Sequence, residues 1–286
     1  MIKHRNLTAL TAVVLILSTI ISGTGCEQTF EPLHDNDRYA FSMYGTLDLH
    51  ADTQWVRIMP VGETLLPEDP APNVAEVNLI RELTGDSSVM KDSLFQFSNT
   101  VYVKNYSSAE VLNPNEAYTI MAEAADGRQS EVTVIMPSVL PMPEVEYDTE
   151  LESATVTGSS VEPLVSFEFR YLVQAFTDFG CTPETEIILP YLGDVFVDQD
   201  GNYLLDVENR TAIARELGVT AFGFIVNKRE LVVITASEDW PDLSELNEEE
   251  MQLPDAVSNV ENGTGVVAGI AARYVTITPR QEPCGV

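Results

Sequence analysis

From residue 39 onward, the chain consists of short runs in which apolar and polar residues alternate, separated by turn residues roughly every ten positions. Alternation with a period of two places the apolar side chains on one face of a β-strand. The run 165–173 is the most regular example, because Val165, Phe167, Phe169, Tyr171 and Val173 are spaced two apart. Strands with one apolar and one polar face form antiparallel sheets that pack in pairs. The sequence therefore predicts a mainly β protein.

A β-hairpin is the clearest local prediction. Residues 118–124 and 131–136 both alternate, and Asp126-Gly127 lies between them. Asp-Gly between two alternating runs is a strong hairpin signal, since the turn requires positive φ. The other predicted strands are 39–49, 54–61, 77–83, 101–103, 194–197, 203–207, 220–226, 231–236 and 274–278. The segment 194–197 is predicted to pair with 203–207, and 220–226 with 231–236.

Three prolines, Pro137, Pro141 and Pro143, mark a boundary in the middle of the chain. Proline cannot donate to a β-ladder and fixes its own φ, so the stretch 137–146 is predicted to be a linker. Residues 39–136 are expected to form an immunoglobulin-like or transthyretin-like β-sandwich. Residues 147–286 are expected to form a second β-rich domain with one or two short helices, at 211–217 and 240–251. The two domains are expected to fold separately.

The first 25 residues have the three-part order of a secretory signal peptide. A cationic start at 3–5 precedes an apolar run at 7–21, and small residues then lead to Cys26. A membrane-spanning helix needs about 20 apolar residues, so an uncleaved anchor is a weaker interpretation than cleavage. The segment resembles the lipobox of bacterial lipoproteins, with Gly23 where a leucine is common. Cys26 is then expected to carry lipid and bind the bilayer, with 26–38 as a tether; an ordinary secreted protein is the alternative.

The charge of the chain limits its partners. It has 45 acidic and 15 basic residues, giving a formal net charge of −30. Affinity for nucleic acid comes mostly from lysine and arginine, so a nucleic-acid partner is not expected. The excess of acid is interpreted as a solvated surface, with cation binding as the alternative.

Few residues suggest chemistry. If Cys26 is acylated, Cys181 and Cys284 remain as an even pair and are predicted to form a disulfide, with two unpaired thiols as the alternative. Asp198, Asp200 and Asn202 are weak candidates for a calcium site, but Asp, Asn and Gly are also what a hairpin turn selects. The Gly-rich stretch 262–265 is interpreted as a loop that needs positive φ. No catalytic motif and no cofactor site is recognised.

Taken together, these segments resemble a family of uncharacterised outer-membrane lipoproteins of Bacteroidetes-type bacteria, often found beside TonB-dependent receptors. The resemblance rests on CEQTFEP at 26–32, the predicted strand pair within 39–61, the segments 115–120 and 131–137, and the stretch 258–269. It implies an outer-membrane location and a TonB-dependent receptor as a partner. No catalytic residues carry over from it.

Two classes of function follow. A non-enzymatic lipoprotein with a binding or accessory role is favoured. A carboxylate-dependent extracytoplasmic enzyme, such as a glycosidase, is the alternative, and it requires two acids to converge in a cleft. A structural or adhesive surface lipoprotein differs from the first class only in its partner.

Overall fold

The structure is a computed structural model that describes residues 39–61, 75–96, 102–178, 180–220, 223–241 and 257–278. Most of these residues lie in β-strands, which confirms the predicted mainly β fold. The strands are β1 (Phe41–Asp48), β2 (Gln54–Pro60), β3 (Ala75–Arg81), β4 (Asp86–Val89), β5 (Lys91–Gln96), β6 (Tyr102–Ser108), β7 (Ala117–Ala124), β8 (Gln129–Ile135), β9 (Glu144–Asp148), β10 (Ser153–Ser159), β11 (Leu164–Thr177), β12 (Gly180–Cys181), β13 (Thr185–Pro190), β14 (Phe196–Val197), β15 (Asn202–Glu208), β16 (Phe224–Ala236) and β17 (Gly263–Thr278).

The first sandwich is formed by two sheets that share one hydrophobic core. One sheet contains β17, β1, β2, β6 and β5 in that order, and the other contains β4, β3, β7 and β8. Met43 and Ile58 of the first sheet lie in the same buried cluster as Leu79 and Ile120 of the second. Each of these residues belongs to an alternating run, so the hydrophobic pattern decides which face of each strand is buried.

The second sandwich has the same construction. Strands β11, β16 and β17 form one sheet, with β12 and β13 both paired to β11, and β14, β15, β10 and β9 form the other. Phe169 and Val233 from the first sheet share a buried cluster with Val156 and Leu205 from the second.

Strand β17 belongs to both sandwiches. Its first half pairs in parallel with β1, from Phe41 opposite Gly263 to Asp48 opposite Ile270. Its second half pairs antiparallel with β16, from Ala236 opposite Ile270 onward. Val267 lies in the first hydrophobic cluster, and Ala271, four residues later, lies in the second. One sheet therefore runs continuously through both sandwiches.

Several local predictions are confirmed. Strands β7 and β8 form the predicted hairpin, and Gly127 in its turn has a φ of 85°. Strands β14 and β15 pair as predicted. The predicted helix is α1 (Arg210–Leu217), and it ends at Gly218, whose left-handed φ of 68° lets its N–H reach the carbonyls of the last turn. The second predicted helix, 240–251, lies almost entirely outside the described residues.

The strand pair predicted at 220–226 and 231–236 is wrong, because β16 is one strand that continues through the polar residues between them. Asn227 donates hydrogen bonds to Gln174 and Glu184, and Arg229 binds the buried Glu152. These partners come from distant parts of the chain, and they allow polar residues that looked like a turn to stay in a strand.

The last strand is longer than predicted. The 274–278 strand is the end of β17, and the predicted loop 262–265 contains the first residues of that strand. The expected positive φ is present at Asn262 (50°) and Gly265 (114°). Small residues such as Ala268 and Gly269 weaken the strand signal, although their lack of bulk suits a strand that is buried on both faces.

The proline-rich segment separates the two sandwiches, and β9 begins at Glu144, inside the predicted linker 137–146. Separate folding of the two halves stays a prediction. However, a fragment that ends at residue 136 lacks β17, which pairs in parallel with β1.

Among the described residues, no helix has both the length and the apolar character that a membrane span requires.

Candidate ligand-binding face

The outer surface of the first sandwich is built from the outward residues of β1, β2, β6 and β5. Inward residues of these strands, such as Met43, Val56 and Ile58, are buried in the core, so the residues between them face outward. The strand register places Tyr44 opposite Arg57, Arg57 opposite Asn105, and Asn105 opposite Ser93. These four side chains therefore form a row across four neighbouring strands.

Three large aromatic side chains are exposed on this surface. Tyr44 is 50% exposed, Trp55 is 42% exposed and Phe95 is 46% exposed. The rings of Trp55 and Phe95 meet edge to face, with their centroids 5.9 Å apart. Isolated exposed apolar residues are common, but several on one flat surface indicate a contact site. We refer to the surface formed by Tyr44, Trp55, Arg57, Lys91, Phe95 and Asn105 as the aromatic face.

The aromatic face is also distinct in charge. In the described part of the chain, Arg57 and Lys91 have no ion pair, whereas Arg81, Arg128 and Arg170 are each paired with a carboxylate. The outward positions of the four strands described above include one carboxylate, Asp48, at the end of β1. Its Oδ1 accepts the backbone N–H groups of His50 at 3.0 Å and Ala272 at 3.2 Å. In a chain with a net charge of −30, this face is locally cationic.

A polar atom on the aromatic face lacks a partner. The side-chain oxygen Oδ1 of Asn105 is buried and has no hydrogen-bond partner among the described residues. An unsatisfied buried acceptor is destabilising, so its presence requires an explanation such as a bound donor.

A group of acidic side chains lies on one face of the second sandwich. Glu146 and Asp148 of β9 and Asp206 and Glu208 of β15 lie on either side of β10, with Thr155 and Ser153 between them. This acidic face lines a shallow cavity of about 510 Å³. Within the described ranges, no group of three or more His, Cys, Asp or Glu side chains is arranged to hold a metal ion.

A second cavity, of about 600 Å³, opens between the two sheets of the first sandwich. It is lined by alanine, valine and methionine side chains together with Glu76, Asp92, Glu123 and Tyr106. The Tyr106 side chain is 2% exposed, and its hydroxyl has no hydrogen-bond partner within the described residues. Burial, and to a smaller extent Asp92, raise the pKa of Tyr106 to about 12, so its hydroxyl keeps its proton at neutral pH.

The calcium candidates lie in the turn between β14 and β15. Oδ1 of Asp198 accepts the backbone N–H groups of Asp200 at 2.9 Å and Asn202 at 2.8 Å, and Oδ2 accepts the Asn202 amide at 2.9 Å. These hydrogen bonds lower the pKa of Asp198. The carboxylate thus bonds to its own loop, which is the geometry of a turn.

The cysteines were the other predicted site residues. Cys181 lies in β12, opposite Phe176 of β11. Cys26 and Cys284 lie outside the described residues. Acylation of Cys26 and a Cys181–Cys284 disulfide therefore stay predictions.

A buried ionic network in the second sandwich was missed by sequence reasoning. Arg229 donates to both carboxylate oxygens of Glu152, and the Nε–Oε2 distance is 2.8 Å. The two side chains are 7% and 3% exposed. The hydroxyl of Tyr147 also donates to Glu152, at 2.7 Å, and burial raises the pKa of Tyr147. All these groups are satisfied by each other, so the network holds β9 and the turn before β10 against β16.

The aromatic face was also missed, although half of its signal was present in the sequence. Trp55 and Arg57 alternate with Val56 and Ile58, which marks them as outward residues of β2. Their neighbours on the face come from β5 and β6, about 40 to 50 residues later, and no local pattern specifies that pairing.

Comparison with known proteins leaves the family open. No family model matches the chain, and no curated protein matches it. It is similar to two crystal structures of pullulanase from Anoxybacillus sp. LM18-11. The complex with maltotriose has a TM-score of 0.23 and 10% identity, and covers 68% of this chain and 24% of that chain. The second pullulanase structure has a TM-score of 0.23 and 11% identity, and the match covers 75% of this chain and 29% of that chain. The chain thus spans less than a third of these pullulanases, and so low a TM-score carries no argument.

Proposed function

We propose that this protein is a lipid-anchored bacterial lipoprotein with a non-enzymatic binding role, and that the aromatic face is its binding surface. The observation that carries the proposal is the composition of that face. Three exposed aromatic residues and two unpaired cations lie on one face of a sheet in a strongly acidic protein. Aromatic residues and arginine are the residues enriched at binding surfaces.

The location rests on the sequence. The cationic start, the short apolar run and Cys26 support export and acylation, with the outer membrane as the destination. The family resemblance supports a TonB-dependent receptor as a neighbour in the membrane. In this proposal, the segment 26–38 tethers the two sandwiches to the lipid and leaves the aromatic face open to a ligand.

The anchoring is tested by metabolic labelling. Native cells that produce the full-length protein are fed a clickable palmitate, and wild type is compared with Cys26→Ala. We expect label on the wild type alone. Equal labelling of both proteins contradicts the proposed anchor.

The binding surface is tested by photo-crosslinking in the same cells. A photoreactive phenylalanine analogue replaces Thr46, which is exposed and lies opposite Trp55 on the aromatic face. The matched control places it at Thr157, which is exposed on the acidic face. We expect an adduct from position 46 that is lost when Trp55→Ala is added. Equal adducts from both positions, or none from position 46, contradict the assignment of the surface.

A further inference from the structure

The unpaired cations of the aromatic face define the charge of its ligand. Arg57 and Lys91 lie on adjoining rows of one sheet, and neither has an ion pair within the described residues. The chain has three times as many acidic as basic residues, yet neither of these two cations is neutralised by a carboxylate in the described ranges. Complementary charge suppresses wrong partners and fixes the register of a ligand. A ligand with a negative charge is therefore favoured.

The exposed rings define the shape of the ligand. Tyr44 and Trp55 are on neighbouring strands, and the rings of Trp55 and Phe95 meet edge to face. Rigid amphipathic rings provide contact area at a small cost in conformational entropy. A partner for such a surface must present an apolar face of its own, and the C–H face of a sugar ring does so. A simple inorganic anion does not.

The unpaired side-chain oxygen of Asn105 indicates that the ligand should donate a hydrogen bond. Asn105 lies beside Arg57 in the row of four side chains, and its Oδ1 accepts no hydrogen bond. A carboxylate or sulfate group can accept from Arg57 but has no proton to donate to Asn105. A sugar hydroxyl can. One ligand class thus supplies a C–H face, a hydroxyl donor and a negative charge: a glycan that carries acidic groups.

The row also has a suitable length. It crosses four strands, and neighbouring strands are about 4.8 Å apart, so its side chains extend over about 14 Å. This is enough for a short oligosaccharide to lie across the strands. Nucleic acid and anionic membranes also carry negative charge. Binding to either requires many lysine and arginine residues on the protein, and the acidic remainder of this chain repels both.

On the basis of the proposed binding role, we infer that the aromatic face binds an acidic glycan, with Arg57 at the acidic group, Trp55 against the sugar ring and Asn105 accepting from a hydroxyl. Binding is non-covalent, and no bond is broken.

The experiment is affinity electrophoresis of the detergent-solubilised full-length protein through gels that contain a polysaccharide. The acidic probes are polygalacturonate, alginate and hyaluronate, and the neutral match is fully methyl-esterified pectin. We expect at least one acidic probe to retard the protein, and the ester to bind about tenfold more weakly or not at all. Adding salt should reduce the retardation.

Variants locate the site. Arg57→Gln and Trp55→Ala should each weaken retardation by about tenfold or more. Arg128→Gln is the matched control, because Arg128 is exposed on the β7–β8 hairpin and pairs with Asp126 there, at 2.9 Å. It should bind as the wild type does. Thermal unfolding of each variant confirms that the fold is retained.

Three outcomes overturn the inference: no acidic probe binds, the ester binds as well as the acid, or Arg57→Gln binds as well as Arg128→Gln. The inference is also overturned if the protein binds single-stranded DNA or phosphatidylglycerol vesicles as well as it binds the acidic polysaccharide, because the face would then select negative charge alone. The two experiments can give different results. If no polysaccharide binds but crosslinking gives a Trp55-dependent adduct with a protein, the glycan inference is wrong and the proposed binding role still stands.

Discussion

Arg57 and Arg229 show two uses of arginine in this acidic chain. Arg229 is buried and holds Glu152 inside the second sandwich, where its guanidinium bonds to both carboxylate oxygens. Arg57 is exposed and has no ion pair among the described residues. The first arginine is used for the fold, and the second is available for a ligand. Sequence alone does not distinguish them, because both lie in alternating strands.

Replacing Arg229 with methionine should be strongly destabilising. The change leaves the Glu152 carboxylate buried without its cation, and breaking a buried pair costs about 3–5 kcal/mol. Urea unfolding measures the loss. The control is Arg128→Met, which removes a solvent-exposed pair and should cost far less than Arg229→Met. Similar losses for the two variants would show that the Glu152–Arg229 pair is not a major stabilising contact.

Tyr106→Phe should instead stabilise the protein. The Tyr106 hydroxyl is buried beside the cavity of the first sandwich and has no hydrogen-bond partner in the described part of the chain. Leaving a buried polar group unsatisfied costs about 1–3 kcal/mol, so removing it should raise the free energy of unfolding by about 1 kcal/mol or more. Denaturant unfolding of both proteins checks this. A loss of stability would indicate that the hydroxyl is hydrogen-bonded in solution.

At the scale of elements, β17 determines the architecture. It is 16 residues long and pairs in parallel with β1 and then antiparallel with β16. Gly265 lies in the parallel half with a φ of 114°, and an added Cβ would be 2.1 Å from the carbonyl oxygen of Met43. No residue with a Cβ fits there unless the backbones of β1 and β17 move apart.

Gly265→Ala should therefore destabilise more than Gly127→Ala. Gly127 has a φ of 85° but open space around it, so alanine there meets only the backbone strain, about 1–2 kcal/mol. At position 265 the clash with Met43 adds to that strain. Thermal or urea unfolding of the two variants makes the comparison. Equal effects would contradict the close approach of β17 to β1.

Sequence patterns predicted the elements whose information is local. The hairpin of β7 and β8, the helix α1 with Gly218, and the core strand β11 each have a complete signal within one segment. The continuous β16 and the first half of β17 were missed. Their stability depends on distant partners, such as Glu152 for Arg229 and β1 for Gly263–Ile270. The aromatic face was missed for the same reason, since its residues come together only when β6 pairs with β2 and β5 pairs with β6.

At the scale of the whole molecule, the two sandwiches are joined through one strand. Leu49, after β1, packs against both hydrophobic clusters, and the backbone N–H of Leu49 donates to the carbonyl of Ile270 at 2.9 Å. The amide N–H of Ile135 at the end of β8 donates to Asp239, at 2.9 Å, after β16. These contacts hold the two sandwiches together at their junction. The sandwich with the aromatic face and the sandwich with the acidic face are therefore joined by more than β17 alone.

This junction changes the expectation for isolated halves. The sequence predicts that residues 39–136 fold separately, but that fragment lacks β17 and the buried Val260 and Val267. We expect the fragment alone to unfold without a cooperative transition, and a synthetic peptide of residues 257–272 to restore one. Circular dichroism with urea measures both. A cooperative transition of the fragment without the peptide would support independent folding and contradict the shared strand.

The central claim is that an acidic glycan binds at the aromatic face, and the chain has two tryptophans with which to test it. Trp240→Phe leaves Trp55 as the single tryptophan. The full-length variant is titrated in turn with oligosaccharides of polygalacturonate, alginate and hyaluronate, and with the methyl ester of the first, while its fluorescence is recorded; at least one of the three acids is expected to bind. We predict a saturable change in Trp55 emission that is absent with the methyl ester and absent when Arg57→Gln is added. Emission that stays constant throughout the titration, or that changes equally with the ester, would contradict the claim.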